Sequence, residues 1–252
     1  MNRLQGKDLI NIGIFTAIYF IVIFAAASIG FIPIFIPLIS VIVPLVGGIP
    51  MMLFFSKIKK FGMLTICGLL LGVIMLLTGM GYWCIPTGLI FGLISDFMMK
   101  GCGYKNAKRE VLIHGVFSMW VIGAFIPIVV TRDAYYQNLL PGYGQEYADT
   151  LMAYMPDWIL PVLLAAAFVS GLVGGLIGRK LFKNHSGIVL DPRTKLAVLT
   201  TIAVFILGGS YEGVMQYYII VLAAIPLLLL LSAGKWKGAV LYLLIFGGSL
   251  CL

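Results

Sequence analysis

Long apolar runs, separated by short charged, glycine-rich or proline-rich stretches, recur along the whole 252-residue chain. Runs of about 20 apolar residues match the length of a membrane-spanning α-helix, whereas barrel strands are about half as long and alternate in polarity. The pattern predicts nine helical spans. Six lie at about 8–28, 33–55, 61–77, 85–99, 111–130 and 158–177. Three more follow: one reaching about Leu207, one at about 214–231, and a last apolar run. The second span carries Pro37, Pro44, Gly47, Gly48 and Pro50, so it is expected to be kinked or broken, because proline removes a helix hydrogen bond and clashes with the previous turn. The longest polar segment, 131–157, separates the fifth and sixth spans.

Composition strengthens this reading. The chain is 62% hydrophobic and only 10% charged, with mean hydropathy +1.10, whereas a soluble domain is about a quarter charged. The fold class is therefore all-α, a polytopic membrane protein. Arg3 and Lys7 before the first apolar run, and Ala25-Ala26-Ala27 after it, resemble a signal peptide, but the run is long for one; a retained first helix is expected. The net charge of +8 would suggest nucleic acid in a soluble protein. Here the cations fall in short loops, which points to topology and anionic lipid headgroups. With the N-terminus inside, inner loops hold sixteen of the seventeen Lys and Arg residues, and outer loops hold Arg132 alone. The positive-inside rule thus sets the orientation expected from sequence.

Candidate chemistry is sparse inside the membrane. Asp96 and Lys100 are spaced for an i,i+4 pair at the inner interface. His114 follows Glu110 at the inner start of the fifth span and reads as a satisfied interfacial histidine. Cys67, Cys84, Cys102 and Cys251 form no C-x-x-C pattern, so neither a disulfide nor a metal site is expected. No Ser/His/Asp set, zinc-protease motif or phosphate-binding loop is visible, so the expectation is no catalytic residue, no cofactor, and any ATP-driven step in a partner. The expected outer side differs. Tyr82 and Trp83 join the third and fourth spans, Arg132, Tyr135 and Tyr136 open the polar segment, and Trp158 closes it. Aromatic rings with a few polar groups suit a small organic ligand, although Tyr and Trp also form interfacial belts. Small residues recur four apart at Gly13/Ala17, Gly68/Gly72, Gly88/Gly92 and in the run Gly171, Gly174, Gly175, Gly178. Such faces let helix backbones approach closely, within one bundle or against another subunit.

Residues 1–185, six spans with a basic face and an aromatic face, resemble the substrate-binding S component of energy-coupling factor (ECF) transporters. The wording Lys7-Asp8-Leu9-Ile10-Asn11-Ile12-Gly13-Ile14-Phe15-Thr16-Ala17, then Pro44-Leu45-Val46-Gly47-Gly48-Ile49-Pro50 and Lys59-Lys60-Phe61-Gly62, is similar to the MptD-like (Trep-Strep) group of S components. That resemblance implies capture of a small nutrient, such as a vitamin, from outside a prokaryotic plasma membrane. It also implies docking on a T component, through Gly13 and Ala17 in place of an A-x-x-x-A face, and energy from two ATP-binding subunits. Leu190-Asp191-Pro192-Arg193-Thr194-Lys195-Leu196 and Gly234-Lys235-Trp236-Lys237 are similar to the beginning of a T component. Residues 186–252 are therefore expected to be a partial T-like segment without coupling helices. A stand-alone secondary transporter and a non-catalytic membrane scaffold are the competing readings.

Overall fold

In the computed structural model the residues described are 4–27, 32–103 and 107–182, and every regular element among them is helical. Helix α1 spans Gly6–Ala27, α2 Ile36–Lys57 after a 3-10 turn at Pro33–Phe35, α3 Met63–Leu77 and α4 Cys84–Gly101. The fifth traverse is composite: α5 at Ala107–Ser118, a 3-10 segment at Met119–Ala124, and α6 at Ile126–Val130. Two short helices, α7 (Arg132–Tyr143) and α8 (Gln145–Tyr154), fill the polar segment, and α9 (Ile159–Phe182) returns. Gly6–Phe24, Pro33–Lys57 and Ile159–Leu181 are each long and apolar enough to cross a membrane. The chain is a polytopic α-helical membrane protein. The stretch 190–196, His185, Cys251 and the T-like tail lie outside the described residues.

Contacts between helices establish their directions. Phe15 of α1 meets Phe54 of α2 with ring centroids 5.6 Å apart, Tyr19 lies against Gly47, and Asp8 accepts from Lys60 at 2.6 Å. Rising numbers on α1 thus meet falling numbers near α2, an antiparallel pair. Helices α3 and α4 are antiparallel too: Gly92 abuts Leu64 and Thr65, Gly88 abuts Gly68, and Gly72 abuts Cys84 and Ile85. The approach is backbone to backbone, since a Cβ on Gly88 would sit 2.2 Å from the Gly68 carbonyl oxygen. Only glycine permits this, and the dispersion gained at such contacts drives helix association where lipid offers no hydrophobic gradient.

Helix α9 uses its glycines on two faces. Gly174 and Gly178 lie against Pro44, Leu45 and Gly48 of α2, while Gly171 and Gly175 lie against Gly115, Ser118 and Val111 of α5. The two overlapping G-x-x-x-G pairs therefore serve two different neighbours. Helix α2 is continuous through Pro44 and Pro50, so it is not broken as its composition allowed. The carbonyl of Ser40, which Pro44 cannot serve as a donor, lies 3.4 Å from the Ser170 hydroxyl of α9. A neighbouring helix thereby supplies part of what proline removes, as transmembrane helices require.

Buried polar groups tie the bundle elsewhere. Asp96 is fully buried, and its carboxylate accepts from the backbone N–H groups of Leu64 (3.2 Å) and Thr65 (2.8 Å) and from the Thr65 hydroxyl (2.6 Å). It caps the start of α3 from α4. The Asp96–Lys100 pair expected from spacing is not formed; the Lys100 ammonium sits 5.6 Å from the centre of the Phe61 ring instead. The reason is that four orphan N–H groups at a helix start are a stronger demand on a buried carboxylate than an exposed lysine one turn away. His114 is buried with Nε2 3.1 Å from the Pro44 carbonyl, and the Ser118 hydroxyl donates to the His114 carbonyl at 2.8 Å. The histidine is satisfied, as expected from the sequence, and its partners lie inside the bundle between α5 and α2.

These registers place Lys7, Lys57, Lys59, Lys60, Lys100, Lys108, Arg109, Arg179 and Lys180 at one end of the bundle. The α3–α4 turn, α6, α7 and α8 lie at the other.

Candidate functional site at the aromatic end

The α3–α4 turn needs Gly81, whose φ of +90° favours glycine. It delivers Tyr82 and Trp83 as a stacked pair, centroids 5.3 Å apart and planes 27° apart. Tyr82 is exposed and covers the half-buried Trp83. The Trp83 carbonyl accepts from the backbone N–H of Thr87 (3.3 Å) and from its hydroxyl (3.0 Å). Gly123 of the 3-10 segment packs directly on this start of α4; a Cβ there would lie 2.3 Å from Thr87 Oγ1 and 2.9 Å from the Trp83 carbonyl oxygen. The helix interruption in the fifth traverse thus sits beside Trp83. Trp120 of the same segment is buried, and its indole N–H donates to the Tyr19 hydroxyl at 3.4 Å. Trp83 Nε1 is buried without a hydrogen-bond partner among the described residues.

Helices α7 and α8 form a hairpin hinged at Gly144, with φ +80°. Two ties close it. The Arg132 guanidinium donates to the carbonyls of Met152 and Met155, each at 2.6 Å, and approaches Asp157 at 3.4 Å. A cation serving the unpaired carbonyls at the end of α8 is favourable for the helix dipole as well as for hydrogen bonding. Arg132 thus reaches Asp157, while Asp133 beside it in sequence is exposed. The second tie is Tyr136, whose hydroxyl donates to Asp149 at 2.7 Å. That bond to a carboxylate holds the Tyr136 phenol above its ordinary range. Tyr143 and Tyr147 stack at 4.7 Å across the hinge. Tyr135 beside them is half-buried, and burial raises its phenol. Leu139, Ala148, Leu151 and Met155 are buried beneath, and α8 packs against the 3-10 turn at Pro33–Phe35.

The sequence-based candidates therefore divide into three places. Tyr82 and Trp83 pair with each other at the start of α4. Arg132, Tyr135 and Tyr136 belong to the hairpin. Trp158 is 69% exposed just before α9 and follows the Arg132 partner Asp157. On α1, Ala17 is buried, whereas Gly13 faces open space, with no atom within 4 Å of a Cβ placed there. Asp149 belongs to the polar segment singled out from sequence, but its pairing with Tyr136 and the two methionine carbonyls were missed. Gly144 followed by the amphipathic run Gln145–Tyr154 was the available signal for a second short helix, but carbonyls carry none. No group of three or more His, Cys, Asp or Glu side chains able to hold a metal occurs among the described residues.

No curated protein and no solved structure matches the chain. A family model, Trep_Strep, described as a hypothetical bacterial integral membrane protein, matches residues 6–186. That range takes in α1 through α9, the glycine-packed bundle and the aromatic end together: the chain belongs to the Trep_Strep family of bacterial integral membrane proteins.

Proposed function

We propose that this chain captures a small nutrient at its aromatic end and delivers it across the membrane as the S component of an ECF-type importer. The observation that carries the reading is the contrast between the two ends of the bundle. Among the described residues one end gathers nine cations, which by the positive-inside rule is cytoplasmic. The other presents Tyr82, Trp83, the α7–α8 hairpin and Trp158 beside an interrupted helix. Non-helical backbone at membrane depth is tolerated where it lines a cavity or is buried in protein, and interrupted helices mark the binding sites of many transporters. In this reading Tyr82, Trp83 and Trp158 supply ring contact, and Tyr135, Tyr136 and Arg132 shape the hairpin that borders the site. Gly13 offers the open small-residue position for docking on a T component, whereas Ala17 one turn on is buried in the bundle and is not part of that face; two ATP-binding subunits supply energy.

The test is mass spectrometry of small molecules that co-purify with the gently solubilised chain, together with identification of proteins that co-purify with it. A single solute lost on Trp83→Ala, and an ATP-binding partner, are expected. Uptake into vesicles holding this chain alone would replace the reading with a secondary transporter. Neither solute nor ATP-binding partner would leave a membrane scaffold.

A further inference from the structure

Among the described residues two buried side-chain polar atoms have no hydrogen-bond partner, Ser95 Oγ and Trp83 Nε1. A hydroxyl can rotate towards a helix carbonyl of its own turn, as Thr16, Ser40 and Ser56 do here. An indole N–H is fixed by its ring and only donates. Leaving it buried and unpaired is unfavourable, and such groups in folded proteins call for a partner. Trp120, the other buried indole described, has one in Tyr19.

The charged groups at this end of the bundle limit what the partner is. Along the fifth traverse only the five-residue helix α6 and its two flanking residues separate the segment packed on Trp83 from the start of the hairpin. At that end the described residues carry one cation, Arg132, against Asp133, Glu146, Asp149 and Asp157. The Arg132 guanidinium is already engaged by the carbonyls of Met152 and Met155 and by Asp157. A carboxylate or phosphate arriving here meets surplus negative charge and a cation turned to other partners. A stacked aromatic pair with one buried, unpaired N–H favours a flat molecule presenting a hydrogen-bond acceptor.

We infer that the substrate-recognising donor at this end is Trp83 Nε1 and that it selects an uncharged, flat, acceptor-bearing molecule over an anionic one, with Arg132 as a positioning residue that closes the hairpin. This rests on the aromatic end being the capture site. The same acceptor chemistry is offered by a lipid ester carbonyl, so the experiment separates the two sources. The full chain, with ¹⁵N-labelled tryptophan, is placed in nanodiscs of ether-linked lipid, which has no ester carbonyl. The Trp83 indole signal is assigned by its loss in Trp83→Phe, a variant that keeps a ring and removes the N–H. Nicotinamide and uracil are then titrated beside their carboxylate counterparts, nicotinate and orotate.

The expected result is a downfield shift of the Trp83 indole proton by a neutral member, at least tenfold weaker binding of its carboxylate counterpart, and at least tenfold weaker binding of that neutral member to Trp83→Phe. Equal or tighter binding of the carboxylates overturns the inference while the capture site stands. So does undiminished binding to Trp83→Phe with loss in Trp83→Ala, because the ring alone would then matter. A downfield indole proton in ester lipid that returns upfield in ether lipid, with no response to any of the four, assigns the donor to lipid and overturns both. Absence of any response in either lipid also overturns both.

Discussion

Asp96 shows what a single buried group does in this bundle. Its carboxylate takes two backbone N–H groups and one hydroxyl at the first turn of α3, at a position buried from solvent where the donors would otherwise be left unpaired. Loss of a helix cap costs about 1 kcal/mol and stranding a buried donor about 1–3 kcal/mol. Asp96→Ala is therefore expected to lower stability by about 2–3 kcal/mol, and Asp96→Asn by less, since its amide oxygen still accepts. Unfolding of the detergent-solubilised protein by titration with denaturing detergent reads both; an Asp96→Ala protein as stable as the parent would remove the capping role. The sequence marked Asp96 as unusual because a carboxylate inside an apolar helix is rare. It did not reveal the partner, because Leu64 and Thr65 lie more than thirty residues away and the bonded groups are backbone. The same limit hid the role of Arg132, whose shortest bonds are to the carbonyls of Met152 and Met155. Backbone acceptors have no sequence signature, whereas Lys100 next to Asp96 does, and there the visible neighbour was the wrong one.

At the scale of elements, helix existence was legible and helix partnership was not. Apolar periodicity and length located the traverses within a few residues, from α1 to α9. Four-residue glycine spacing announced close approach, yet nothing in it told that Gly174 and Gly178 face α2 while Gly171 and Gly175 face α5. That division yields a contrast between two alanine substitutions. Gly88→Ala forces a methyl into the Gly68 carbonyl and is expected to cost about 3 kcal/mol, the scale of overpacking, or to abolish recovery of folded protein. Gly13→Ala meets open space and is expected to leave stability unchanged or slightly raised, because alanine is the better helix former; denaturation midpoints of the two variants read this directly. The hairpin makes a second prediction. Arg132→Ala removes the tie at the end of α8, so amide exchange across 132–157 should quicken while the glycine-packed helices keep their protection. If protection in 132–157 is unchanged, Arg132 does not hold the hairpin. The Tyr136–Asp149 bond adds a pH dependence. With the phenol raised above its ordinary value, its contribution is fully present below about pH 10 and is lost as pH rises through the raised value. Amide exchange in the hairpin, corrected for the intrinsic rise with pH, should therefore quicken above that point in the parent and not in Tyr136→Phe.

On the scale of the whole molecule, the ends of the bundle are charged in opposite senses, and the chain alternates between them with each traverse. That polarity was legible because it depends on counts of Lys and Arg, which need no tertiary contacts. It implies that a cysteine placed at Lys180 reacts with a membrane-impermeant thiol reagent only after the cells are opened, whereas one at exposed Gly142 reacts from outside. The extent of the folded unit makes a stronger demand. One compact unit comprises Met1–Leu76 and Met80–Ser186, and the family match ends at residue 186. Within it each traverse has a named neighbour: α1 with α2 through Phe15–Phe54 and Asp8–Lys60, α3 with α4 through paired glycines, and α9 with both α2 and α5. These contacts are all made between the unit's own helices, through the close backbone approach that drives helix association in lipid. A chain stopped after Ser186 is therefore expected to insert, to run as a single species in size-exclusion chromatography, and to unfold at a midpoint close to that of the full chain. Aggregation of that shortened chain, with the full chain well behaved, would show that residues 187–252 complete the bundle and that the family-matched segment is not a folding unit.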